Sequence, residues 1–408
     1  MTKKEPLHGK FHALLLGASC QAFAFFGEQV IVGYVVFRLT ESSTWVGVSL
    51  ALYFAPMFAF GLASGAIADW AASRRTLICQ TEFSVAAVIA VFALYTHWVG
   101  LTLLPLLLLS SRSGTGMAMH HTLRGAIAFD LAGPQKIMAG LGQLNLGVRI
   151  GQLIGAAAAG LAAQAGGFSV AFAVIAMAHF VSALFYRGLP ATQAVHAVKA
   201  HLGRNLRRFV HEVRTNNALI LLVALTAAVE VLGFSFVTAL PVLASSRFDV
   251  GPDGLGTLHS ARAIGGILAA LAFATALRLQ PRMSFYIYTI GCFGATLGIL
   301  SAAPNFWSAF TILVVIAGVA IAADVLSQSM VQLSVADEFR GRAMGAWVFA
   351  IGAAPLGHLE LGFMIDLIGV KAALLVNGTA LLCLAAVARS KLKNFSTTQT
   401  TPTHKNTR

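Results

Sequence analysis

Long apolar runs alternate with short polar connections along almost the whole of this chain. A helix needs about 20 apolar residues to cross a bilayer. On that criterion the pattern predicts spans at 11–36, 45–68, 76–97, 101–121, 138–165, 168–187, 217–240, 254–277, 284–302, 305–330, 343–365 and 370–389. The expected fold is an all-α membrane protein of twelve transmembrane helices. The longest internal connection is polar and basic, and it separates a six-helix half, 1–187, from a second, 217–390. Between them, 188–216 reads as a cytoplasmic linker, within which 194–213 has the pattern of a basic amphipathic helix for the inner membrane surface. The Thr- and Lys-rich segment 391–408 reads as a disordered cytoplasmic tail.

Composition excludes a water-soluble globule. The chain is 57% hydrophobic and 11% charged, against about a half and about a quarter in soluble domains. A formal charge of +13 would point to nucleic acid in a soluble protein. Here the side of the bilayer on which the basic residues fall matters more. With both termini cytoplasmic, 22 of the 28 basic residues lie in inside segments. Arg38, Arg247 and Lys371 lie outside, while Arg112, Arg149 and Arg262 fall within spans. That split follows the positive-inside rule and sets the orientation. No nucleic-acid partner is implied. The apolar run after Lys3, Lys4 and Lys10 continues to Val36, too long for the core of a secretory signal, so it reads as an uncleaved span. The four cysteines lie in or beside apolar runs without metal-ligand spacing and read as buried thiols. Neither a metal nor a cofactor is expected.

Ionisable residues at membrane depth are costly and are functional candidates by default. In the first half these are Glu28, Glu82, Arg112 and Arg149, the last flanked by Asn145 and Gln152 at helical spacing. In the second they are Glu230, His259, Arg262, Asp324, His358 and Glu360. Arg112 and Arg149 lie about midway through their spans, so each needs a partner acid or an aqueous cavity, and Glu28 is the candidate acid. His259 and Arg262 share one helix face, which suits an anionic group or a structural pairing with Glu230. His120 and His121, beside Arg124, read as interfacial polar residues.

The stretch GLASGAIADWAASRRTL, 61–77, is a polar hinge between two apolar runs. Its Gly65, Ala68, Asp69, Arg74 and Arg75 resemble the signature loop between the second and third helices of the major facilitator superfamily. Phe-Gly27-Glu28 and Arg38-Leu-Thr40 are similar to elements of that superfamily's exporter branch, which includes enterobactin-exporter-like proteins, with Glu28 in place of the usual Asp. Arg112 with Gly114 and Gly116 resembles the fourth-helix motif associated with proton coupling, and Gly147, Gly151, Gly155 and Gly160 resemble the glycine-rich antiporter motif. ADEFRGR, 336–342, and Pro355-Leu-Gly357 point to the same branch. Internal symmetry agrees: Gly61 precedes Arg74 by the same interval as Gly265 precedes Arg278.

The resemblance implies a secondary active transporter, not an enzyme, in a bacterial inner membrane, acting as a monomer. It would export a small organic molecule, a drug-like amphiphile or a siderophore, by proton antiport. Proton-coupled uptake and metal-ion export are the alternatives. The expected proton-coupling and substrate residues are Glu28, Arg112, Arg149, Glu230, Arg262, His358 and Glu360, and Gly65, Asp69, Arg74 and Arg75 form the expected conformational latch. The sequence has no P-loop for a nucleotide-driven pump, no nucleophile-with-base pattern and no HExxH motif.

Overall fold

The computed structural model describes residues 7–61, 73–190, 217–275, 282–335 and 340–398. All regular structure among them is helical. Helix α1 is Leu7–Thr40, α2 Ser43–Gly61 and α3 Arg74–Trp98. The helical run Leu103–Arg187 changes direction at Gly133 (φ 68°, ψ 168°) and Gly167 (φ 81°, ψ 174°). These are backbone regions that only glycine adopts freely, and they divide the run into α4 (103–132), α5 (134–166) and α6 (168–187).

Helix α7 begins as Asn217–Leu232, tightens into a 3-10 turn over Phe234–Ala239, and ends in a wide π turn, Leu243–Arg247. It therefore runs seven residues beyond the expected 240. Next come α8 (Pro252–Thr275), α9 (Met283–Ser301) and α10 (Phe306–Leu333). Asn305 opens α10 with a capping box: its side chain accepts from the Ser308 amide at 2.9 Å, and Ser308 Oγ accepts from the Asn305 amide in return. Helix α11 is broken ahead of Pro355 into Arg340–Ile351 and Ala354–Ile368, and α12 is Val370–Thr398.

Nine stretches among the described residues are long and apolar enough to cross a membrane, against the twelve expected. One of the nine, Gly140–Arg187, contains the turn at Gly167, and α2 stops where the described residues do. The basic linker lies outside the described residues from 191 onward. Helix α12 stays regular to Thr398, inside the segment expected to be a disordered tail, and 399–408 lie outside.

Glycines set the helix packing. Gly151 and Gly155 of α5 face the backbone carbonyls of Ser19 and Phe23 on α1, where a Cβ would overlap them. The fifth-span glycines thus form a close-approach surface. Close contacts also run between the halves: Gly47 and Gly362 admit α2 against α11, Gly160 and Gly256 admit α5 against α8, and Gly33 of α1 meets Pro241 of α7. All lie in the part of each helix nearest the Thr40–Ser43 turn. At that end Asp366, in the last turn of α11, accepts hydrogen bonds from Ser42 Oγ (2.6 Å) and from the Ser43 and Thr44 amides (2.6 and 2.9 Å). An acid of one half caps the first turn of a helix in the other.

Candidate functional site

Glu28 lies on α1, fully buried. Its carboxylate accepts from Tyr53 Oη of α2 at 2.7 Å and from Ser113 Oγ of α4 at 2.8 and 2.9 Å. Gly114 of α4 sits on the Tyr53 carbonyl, which brings α4 against α2, and Gly27 of α1 sits on Gly155 of α5, which brings α1 against α5. The groups in contact with this carboxylate are thus neutral hydroxyls. Arg112, one residue before Ser113, is turned toward α3, where it bonds to Ser84 Oγ. Its charge reaches Glu28 only through space. Arg149 does not join them: its guanidinium donates to Gln152 at 3.0 Å and lies across Gly266 of α8 in the other half.

A second buried acid, Glu82, lies in the first half. Glu82 of α3 contacts His120 Nε2 of α4 at 2.5 Å and His179 Nδ1 of α6 at 3.1 Å. All three side chains are at most 4% exposed, and His120 tilts against the Tyr186 ring at 5.5 Å. His120 is therefore a core residue and not the interfacial one expected, while its neighbour His121 is exposed. The cluster joins residues up to 97 positions apart, and helical spacing within one span gives no sign of it.

In the second half, Arg262 and His259 share a face of α8, with Arg262 Nη1 3.2 Å from His259 Nδ1. The Arg262 guanidinium covers the Phe236 ring at 5.4 Å. His358 of α11 bonds to Thr238 of α7 at 2.9 Å and stacks on Phe54 of α2, with ring centroids 5.2 Å apart. Arg149, Arg262 and His358 are thus drawn from both halves to one seam. Asp324 of α10 forms no ion pair among the described residues. Glu230 is buried and has no hydrogen-bond partner among the described residues. It does not pair with His259. Glu360 turns away from the seam and accepts from Asn377 of α12 at 3.2 Å.

Of the expected latch, Gly65 and Asp69 lie outside the described residues. Arg74 pairs with Asp130 at the far end of α4 at 2.9 Å, and Arg75 donates to the Leu189 carbonyl at 3.1 Å. Both hold the first half together at the end opposite Thr40. Among the described residues no three His, Cys, Asp or Glu side chains are placed to hold a metal ion.

An all-helical bundle that meets in two halves, with charges buried at the seam between them, has the architecture of a membrane transporter. A family model described as transmembrane secretion effector matches residues 3–407, and the chain belongs to that family of the major facilitator superfamily. It is similar to the staphyloferrin A transporter of Staphylococcus aureus, 23% identical over 366 residues, which cover 88% of this chain and 90% of that protein. Its fold is similar to that of a bacterial homologue of the human lysosomal transporter Spinster, solved inward-facing and unoccupied, with a TM-score of 0.75, 14% identity, and 96% and 99% of the two chains covered. A peptide transporter solved with sulfate gives a TM-score of 0.74 at 14% identity, covering 94% of each chain.

Proposed function

We propose that this protein exports a small organic molecule across a bacterial inner membrane in exchange for protons. In this reading twelve crossings place both termini in the cytoplasm, and the chain works as a monomer. The observation that carries it is Glu28: a carboxylate enclosed at the centre of the first half and held by two hydroxyls. An acid there can take up or release a proton as small movements change its distance from Arg112. The halves meet nearest the Thr40 turn, which the charge distribution puts outside, so the conformation corresponds to an inward-facing carrier. The name of the staphylococcal relative supports a siderophore as the first cargo to test.

The test uses everted vesicles, a siderophore and an imposed pH gradient. Wild-type protein accumulates cargo when the lumen is acidic, and Glu28→Gln does not, whereas Glu28→Asp does. Accumulation by Glu28→Gln equal to wild type would remove Glu28 from coupling. Uptake in the opposite sense would make the protein a symporter.

A further inference from the structure

We infer that the seam carries a subsite for an anionic group of the cargo, a carboxylate in the first instance, held between Arg149 and Arg262 with His259 as a third donor. The inference rests on the reading above that this protein exports a small organic molecule. It begins with how arginines elsewhere in the chain are satisfied. Arg247 ends on the Ser301 and Ala303 carbonyls at 2.8 and 2.6 Å, and Arg74 ends on Asp130. Each of these guanidiniums ends on a carboxylate or on backbone carbonyls. Among the described residues Arg262 ends on neither a carboxylate nor a carbonyl: its partners are the His259 ring nitrogen and the face of Phe236.

The electrostatics point the same way. Arg149 comes from α5 in the first half and lies against Gly266, one helical turn from Arg262 on α8. A Cβ on Gly266 would stand 3.3 Å from Arg149 Cδ and Nε, so the absence of a side chain there lets the guanidinium cross the seam. Arg149 carries a charge of the same sign as Arg262. Asp324 does not reach ion-pair distance of Arg149. Two guanidiniums set at neighbouring turns of α8, one from each half, carry like charges, which an anion between them would offset.

The donor set fits a carboxylate. A guanidinium only donates, so the 3.2 Å contact requires His259 Nδ1 to be the acceptor. That leaves the ring proton on Nε2, which makes no hydrogen bond among the described residues. Two planar forks and one imidazole N–H match the lone pairs of a carboxylate.

The experiment is calorimetric titration of the purified full-length protein in detergent with citrate and with sulfate, against sodium chloride at matched ionic strength. Saturable citrate binding is expected in the wild type and unchanged in Arg38→Gln, which alters an exposed helix end away from the seam. Binding should weaken at least tenfold in Arg262→Gln and in Arg149→Gln, and recover in part in Arg262→Lys, which also controls for folding. Citrate affinity in Arg262→Gln and Arg149→Gln equal to wild type would overturn the subsite. So would a wild type that binds neither anion. Calorimetry applies no proton gradient, so arginine-dependent binding by a protein whose everted vesicles ignore pH would uphold the subsite and overturn only the antiport reading.

Discussion

Asp366 offers the sharpest test of how the two halves are held together. Its carboxylate takes one hydroxyl and two amides from the opening of α2, so the contact spans the halves and exists only while they are closed at the Thr40 end. Charge-assisted hydrogen bonds contribute about 1.5–3 kcal/mol each when shielded. Asp366 is exposed, and water replaces most of what is lost. The capping of α2 retains about 1–2 kcal/mol, a factor of about 5 to 30 in the closed-to-open ratio. Asp366→Asn keeps the shape but presents an amide where two N–H groups need an acceptor, so it should shift the population toward opening by that factor. Ser42→Ala, which leaves both amide bonds, should shift it less. Spin labels at Trp45 and Leu367, both exposed positions at this end, report the separation by double electron–electron resonance. The expected result is a longer-distance population that grows in Asp366→Asn and less in Ser42→Ala. Identical distance distributions in Asp366→Asn and wild type would show that the cap does not hold this end shut.

Two further outcomes follow from packing and charge. Gly114→Leu places a side chain on the Tyr53 backbone, so it should separate α4 from α2 and cost about 2–4 kcal/mol; a folded yield and thermal midpoint equal to wild type would contradict the packing described around Glu28. On the proposed orientation, a cysteine at Ser246 should react with an impermeant maleimide in intact cells and one at Thr398 only after permeabilisation, and the reverse pattern would invert the topology.

The sequence makes the helix boundaries and the list of buried charges legible, because both follow from local apolarity. The turns at Gly133 and Gly167 fall within a few residues of the expected ends of the fifth span. Which charge meets which partner depends on helix rotation, and periodicity does not fix it in helices apolar all round. Arg112 was expected to lean toward Glu28 and turns to Ser84 instead. His179 gave no signal, since its partner lies on another helix. Asp366 did carry one: an acid in the last turn of a helix stands at the unfavourable end of the dipole, which asks for a partner outside its own helix. That partner, the opening of α2, is over 320 residues away in sequence.

The Glu82 cluster separates a working charge from a structural pin. One carboxylate stands between two imidazoles, and the far nitrogens of both rings, His120 Nδ1 and His179 Nε2, are buried without partners. Any imidazolium in the cluster depends on Glu82 for its compensation. Removing one member of a buried ion pair costs about 3–5 kcal/mol, whereas replacing the whole set with apolar groups of similar volume is often neutral or stabilising. Glu82→Gln should therefore destabilise the protein by that amount, measured by unfolding in mixed micelles. The triple variant Glu82→Met, His120→Phe, His179→Leu should regain most of the loss. If Glu82→Gln unfolds within about 1 kcal/mol of wild type, no imidazolium is held there and the cluster is a neutral hydrogen-bonded one. If the single variant falls as expected and the triple one stays equally unstable, these side chains fill a shape that apolar groups do not reproduce, and packing outweighs charge in joining α3 to α4 and α6.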